Sequence, residues 1–224
     1  MCRVWCLLTI LMNIWGFTPV AEAQTLIFGR DKTMREEFPQ SSLLLEQAYE
    51  KLGIALDFQE ATARRALLES ENGNWDGEVL RIGSITEQAP NLRRVPVVLA
   101  TLQIALFQRD DLAEILPTQL QGKRLAVPAG YRIAEQLSKQ YGFELMETSD
   151  LAAALKMVEL GRADCTLHSL QIGQQRIEML KLQHVISYGH ILAQIPLYHF
   201  LHRKHEDLIP QITPILEALI KQAP

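Results

Sequence analysis

The chain is short of cysteine, of aromatic residues and of excess charge. It holds three cysteines in 224 residues, namely Cys2, Cys6 and Cys165. Cys2 and Cys6 sit at the extreme N-terminus, so Cys165 stands alone in the rest of the chain. A lone thiol closes no internal disulfide and anchors no thiolate metal cluster. It reads as packing within a buried strand rather than as a nucleophile. Acidic residues number 26 and basic residues 22, a formal net charge of −4. That balance gives no footing for nucleic-acid binding. No P-loop glycine motif cradles a phosphate, and no G-x-S-x-G elbow surrounds Ser169. There is no low-complexity linker and no strict internal repeat. Beyond the N-terminus no apolar run approaches the ~20 residues that a membrane-spanning helix requires.

What is present begins with a leader. Arg3 precedes VWCLLTILMNIWGF, and small residues end in Ala21-Glu22-Ala23. A basic start, a short apolar core and an A-x-A ending mark a secretory signal peptide over residues 1–23. Cleavage after Ala23 removes Arg3 and Glu22 together and leaves the formal charge at −4. Neither Cys2 nor Cys6 stands at the cleavage point, which argues against lipid attachment. About 200 residues remain, enough for a sizeable core in one domain or two small ones.

Apolar runs then alternate with amphipathic ones. TLIFG (25–29) reads as a strand, with Arg30-Asp31-Lys32-Thr33 as a ligand-facing loop at its end. Ser41 or Ser42 is placed to cap a helix running to Leu52, with Gly53 at its C-terminus. IALDF is a second strand, 63–69 a short helix, Asp76-Gly77 a turn, and 79–85 a third strand. The stretch 122–180 repeats the alternation. RLAVP is followed by a helix carrying Ile133, Ala134, Leu137 and Tyr141. FELM is followed by a helix capped by Ser149 or Asp150, and ADCTLH by a helix over 170–180. Strands alternating with helices of this length predict βαβ units and parallel sheets, an α/β chain in two halves. Ligands in such sheets sit beyond the carboxyl ends of the strands, so the loops 128–133, 147–150 and 168–171 are the places to look.

Two β-rich runs, VPVVLATLQIALF (95–107) and HILAQIPLYHFLH (190–202), exceed an ordinary strand of ~5–6 residues. Strands passing between two lobes account for both and make a two-strand hinge. The predicted arrangement is a signal peptide (1–23), a discontinuous first lobe (24–101 with 196–224) and a second lobe (102–195). A C-terminal helix, regular from about Ile212, packs back on the first lobe.

This order of parts resembles the bacterial extracellular solute-binding proteins of family 3, the polar amino-acid type that feeds ABC transporters. The marks are LLLEQAYEKLG, the SITE segment at 84–87, LQGKRLAVPAG, LAAALKMVELGRADCTLHS and the closing KHEDL…ILEALIKQ. The resemblance covers most of the chain after the leader. It implies a type II periplasmic-binding-protein fold: two α/β lobes, each a mainly parallel sheet flanked by helices, with closure about the hinge. It also implies a periplasmic location, a small-molecule ligand, and delivery to an inner-membrane ABC permease. Monomer is the default state, and no enzyme activity, catalytic residue, metal or cofactor is expected.

The residues that usually hold an amino acid in that family are replaced. The position of the carboxylate-binding Arg, three after Thr86, is Ala89. The position of the ammonium-binding Asp, five after Asp164, is Ser169. Tyr131 and Arg132 follow Gly130 where small hydroxyl residues are usual. The ligand-binding candidates are therefore Arg30, Ser84, Thr86, Tyr131, Arg132 and Ser169. Arg30, Arg132 and a helix N-terminus suit an anion, and Tyr131 suits a ring or an apolar group. Arg93-Arg94 reads as a solvated loop. Two other functions fit the same scaffold. One is a non-transporting sensory or adaptor protein with a degenerate cleft. The other is a small-acid dehydratase or lyase using Glu60, Glu87 or His168.

Overall fold

The computed structural model describes residues 24–222. The predicted signal peptide lies outside the described residues. The first half opens with strand β1 (Thr25–Asp31), helices α1 (Lys32–Glu37) and α2 (Pro39–Glu50), strand β2 (Ala55–Ala61), helix α3 (Ala63–Glu71) and strand β3 (Gly77–Ile82). A 3₁₀ turn (Gly83–Glu87) leads into the 18-residue strand β4 (Leu92–Arg109). The second half holds β5 (Arg124–Pro128), α4 (Arg132–Tyr141), β6 (Glu144–Thr148), α5 (Leu151–Glu159), β7 (Cys165–Ser169), α6 (Leu170–Leu180) and the short β8 (Val185–Ile186). Strand β9 (Ile191–His202) returns to the first half, where α7 (Ile209–Gln222) ends the chain.

One sheet runs through both halves in the order β2-β1-β3-β9-β4-β7-β5-β6, with β8 beside β4. The outer trios are parallel, β2-β1-β3 on one side and β7-β5-β6 on the other. Between them β4 and β9 pair antiparallel from Leu92↔His202 to Ala105↔Ile191, with register shifts between Arg94 and Ala100. This is a mixed α/β fold with parallel sheets flanked by helices. The parallel strands are buried where helices cover them, as such strands must be: Leu26 and Phe28 on β1, Leu125 to Val127 on β5, and Cys165 to Leu167 on β7. The lone thiol is packing, and burial pushes it up to about 12.

Local sequence explains most element ends. Asp150 caps α5 by accepting from the Ala153 N–H at 2.8 Å, as an N-cap aspartate does. Asp164 ties the start of β5 by accepting from the Arg124 N–H at 2.7 Å. Several expectations need correction. Residues 32–37 form a helix, not a loop, because Asp31 caps it. Pro39, rather than Ser41 or Ser42, opens α2; its fixed φ suits the first helical turn, and both serines lie buried inside the helix. The third strand stops at Ile82. Arg93 and Arg94 lie in β4, with Arg94 stacked 4.6 Å over Tyr198. Helix α7 starts at Ile209 and carries Pro214 inside it. Asp76 does more than turn the chain: its carboxylate accepts from the Ile27 N–H, from Lys204 and from His205 at 2.7, 2.8 and 2.6 Å.

The first half is pinned to β9 by an aromatic cluster. Phe28, Tyr49 and His199 are fully buried, and the Phe28 and His199 rings meet edge to face at 4.7 Å. His199 Nδ1 lies 2.7 Å from the Glu78 carbonyl, which only accepts, so Nδ1 carries the proton. Nε2 then accepts from the Tyr49 hydroxyl at 2.9 Å. Both nitrogens are satisfied by the neutral ring, and burial holds its pKa down at about 4. A neutral native imidazole means that unfolding takes up a proton below the unfolded value of about 6.5. His199 therefore withdraws stability as pH falls from about 6.5 towards 4, by roughly 3 kcal/mol in all. Buried Glu37 and Glu78 are raised and act in the opposite direction. The contribution is read as the difference between the urea-stability profiles of the native chain and His199→Gln from pH 7.5 to 4.5. The native profile is expected to fall more steeply on acidification.

In the second half, α6 packs so closely on β4 that a Cβ at Gly173 would overlap the buried Phe107 ring. Gly173→Ala is expected to lower stability by about 1–3 kcal/mol through overpacking, although alanine is the better helix former by ~1 kcal/mol. Chemical denaturation measures it.

Candidate functional site

A cavity of about 300 Å³ lies between the two halves. Met34, Leu80, Ile82 and Ile85 wall it from the first half, and Tyr131, Ile133, His168 and Ser169 from the second. Leu102 and Leu197 of the crossing strands line it too, and Asp31, Glu37 and Arg81 supply its charged groups. Its position is the one the topology dictates, beyond the carboxyl ends of β1, β3, β5 and β7.

Each polar group is positioned by a strand end. Asp31 ends β1 and its Oδ1 accepts from the Thr33 and Met34 N–H groups at 3.0 and 3.2 Å, which starts α1. Six residues of helix then bring Glu37 to the cavity, where it is 5% exposed. Ser169 ends β7 and caps α6, its Oγ accepting from the Ile172 N–H at 3.4 Å. The same hydroxyl donates to Glu37 Oε1, a hydrogen bond that crosses from one half of the molecule to the other. Tyr131, just past β5, lies parallel to His168, with ring centres 5.0 Å apart and planes at 9°. His168 and Ser169 are neighbours on a strand, where side chains alternate. Both reach the cavity because Ser169 is already the residue at which the strand turns into the helix.

Burial sets the electrostatics. It holds the Glu37 carboxyl above the usual range, offset in part by the Ser169 hydrogen bond. It raises the Tyr131 phenol, with the nearby Glu37 charge adding to the effect. It lowers His168 to about 4, helped by the Arg176 charge, so the imidazole is neutral at physiological pH. Tyr131 Oη and His168 Nδ1 are buried with no hydrogen-bond partner. Unpaired buried polar atoms are costly, and here two of them belong to one stacked pair beside the cavity. Arg81 is not free: Nε donates to Glu78 Oε2 at 3.0 Å and Nη2 to the Ala63 carbonyl at 2.7 Å.

Of the six residues picked from sequence, Tyr131 and Ser169 come together at the cavity. Arg30 does not reach it. Its guanidinium binds Ser42 Oγ and Glu60 at 3.1 Å each, and stacks 4.9 Å over Phe58. Arg132 is exposed, and neither it nor loop 147–150 contributes to the wall. Ser84 and Thr86 are exposed on the 3₁₀ turn, which sends Ile85 inward instead. Glu37 was missed. The only sequence signal is an acid in the short run between a capping Asp31 and Pro39, a stretch that carries no clear periodicity. The groups considered for catalysis are not assembled: Glu60 pairs with Arg30 and Arg35 at 3.1 Å, and Glu87 is exposed. Among the described residues, no group of three or more His, Cys, Asp or Glu side chains is placed to hold a metal ion. No helix among them is long and apolar enough to cross a membrane.

A larger groove, about 720 Å³, lies on the outer side between α2, α7 and β4. Its walls set Leu43, Leu44, Leu99, Leu219 and Ile220 beside the polar Gln40, Ser41, Gln47 and Gln222, with Glu37 on its rim. The interlobe cavity is the better candidate because it lies beyond the carboxyl ends of the parallel strands and has the buried, unpartnered Tyr131 and His168 at its wall.

No protein-family model matches the chain, nor does any curated protein sequence. Solved structures do match. A histidine kinase sensor domain with similarity to periplasmic binding proteins is 19% identical with a TM-score of 0.69, over 89% of this chain and 92% of that one. The L-cystine solute receptor of Neisseria gonorrhoeae, unliganded and open, is 16% identical with a TM-score of 0.66, over 90% and 89%. An ancestral arginine-binding protein bound to arginine is 16% identical with a TM-score of 0.64, over 88% and 92%. The chain thus has the two-lobed fold of periplasmic-binding-protein-like domains.

The Glu37–Ser169 bond makes a stability prediction. Ser169→Ala removes both the α6 cap and the partner of a buried carboxyl. It is expected to cost about 1–3 kcal/mol and to enlarge the radius of gyration in X-ray scattering, as the halves separate.

Proposed function

We propose that this protein is an extracytoplasmic solute-binding protein whose two lobes close on one small molecule. The observation that carries this reading is the interlobe cavity with its stacked, unpartnered Tyr131 and His168 and its bridging Glu37–Ser169 pair. The lobes are residues 24–101 with 196–224, and 102–195, and the hinge is the β4/β9 crossing. The predicted signal peptide supports a periplasmic location. The resemblance to transporter-feeding binding proteins supports delivery to an inner-membrane ABC permease, with the protein acting as a monomer. Tyr131, His168, Ser169 and Glu37 are the proposed ligand contacts. An anionic ligand has lost its basis, because Arg30 and Arg132 stand away from the cavity and Arg81 is held by Glu78. At about 300 Å³ the site is at the small end of ligand pockets.

A sensory role is the second reading, favoured by the kinase sensor domain among the structural neighbours. Closure is common to both, and the reader of the closed state differs.

A thermal-shift screen against amines, amino acids, small carboxylates, sugars and nucleosides tests the binding reading. A ligand at a hundredfold excess over its Kd is expected to add about 2.7 kcal/mol of stability. A hit should weaken at least tenfold in Tyr131→Ala. No shift by any class, with scattering unchanged on addition of every compound, would overturn it.

A further inference from the structure

We infer that the interlobe cleft selects a small organic ammonium ion, a monoamine with an apolar body and no carboxylate, and that Glu37 is its counter-ion. This rests on the solute-binding reading above and specifies its ligand.

The charges at the cavity wall are Asp31, Glu37 and Arg81. Arg81 is spent on Glu78 and the Ala63 carbonyl, so carboxylates are in excess around the space. A zwitterionic amino acid would strand its carboxylate among Leu80, Ile82, Ile85 and Ile133 with no cation to meet it, and buried charges must be paired. An ammonium ion without a carboxylate meets no such penalty. Asp31 is already occupied in capping α1. Glu37 commits Oε1 to Ser169, and its Oε2 accepts no hydrogen bond among the described residues. Tyr131 Oη, also without a partner, can accept a second N–H of the ligand. The Tyr131 face favours a cation through its ring quadrupole, and neutral His168 does not repel one. The remaining wall is aliphatic and takes the body of the ligand.

Binding should carry a proton signature. Burial holds the Glu37 carboxyl above its usual range, so it keeps its proton to a higher pH than an exposed glutamate. A bound cation favours the carboxylate, and the displaced proton passes to buffer. Affinity for an amine therefore rises with pH through the Glu37 range, whereas affinity for a neutral ligand does not. Asp31, Arg81, Tyr131 and His168 are the other ionisable groups facing the cavity. His168 is neutral throughout that range.

The test is isothermal titration calorimetry of the whole protein. The probes are phenethylamine and amylamine, each set against the carboxylate and the alcohol of the same skeleton, with phenylalanine as the zwitterion. Titrations in two buffers of different ionisation enthalpy count protons. The expected result is that an amine binds at least tenfold tighter than its congeners and releases a fraction of one proton. Glu37→Gln, which keeps an acceptor for Ser169, should lose at least tenfold in amine affinity and lose the buffer dependence. Far-UV circular dichroism and the unfolding midpoint confirm that this variant is folded. Tighter binding of a carboxylate, alcohol or zwitterion, or unchanged amine affinity in Glu37→Gln, overturns the ammonium assignment and leaves the solute-binding reading standing. No binding by any probe, together with a negative thermal-shift screen, overturns both.

Discussion

Strands β4 and β9 carry the chain from one half of the molecule to the other and back. Their antiparallel ladder holds a parallel trio at each end and makes one sheet of what would otherwise be two. Everything functional hangs on that crossing. It sets the carboxyl ends of β1 and β3 against those of β5 and β7, and so creates the cavity between them. Its register shifts between Arg94 and Ala100 and again between Ile104 and Ala105, so the ladder is interrupted at more than one point. The crossing is anchored in the first half by a buried ring cluster, Phe28, Tyr49 and His199, in which both His199 nitrogens are hydrogen-bonded.

The cavity has an economy of charge that differs from a zwitterion site. Its guanidinium is neutralised within its own half, its imidazole is kept neutral by burial, and a carboxyl is placed where solvent is scarce. Desolvation is the common cause. The same scarcity of water that makes Glu37 reluctant to ionise makes a correctly placed cation valuable to it, because a buried charge is tolerated when it is paired. Ser169 moderates this by giving Glu37 a neutral donor. It lets the two halves touch without an ion pair.

Much of the architecture was legible in the chain. RLAVP is strand β5 to the residue, and the helix read over 170–180 is α6. The two overlong β-runs are the crossing strands. These elements have strong periodicity and clear punctuation, and local pattern decides them. The region 30–42 was misread because its organising event is one capping hydrogen bond pair from Asp31, followed by a proline start, with too few residues for a period to show. Arg30 was misread for a different reason. A strand-end arginine looks available in sequence, and only the fold shows Glu60, Ser42 and Phe58 gathered around it.

By itself the sequence determined the alternation of strands and helices, their order and the crossing strands. Hydrophobic period and capping are properties of neighbours along the chain, so they are written there. The tertiary structure alone decided which polar groups are free. Ser169 meets Glu37 across 132 positions of chain, Tyr131 finds His168 through two adjoining parallel strands, and Arg81 is removed from play by Glu78. Partnership between distant side chains, and the loss of water that changes their charge, exist only once the two halves stand face to face.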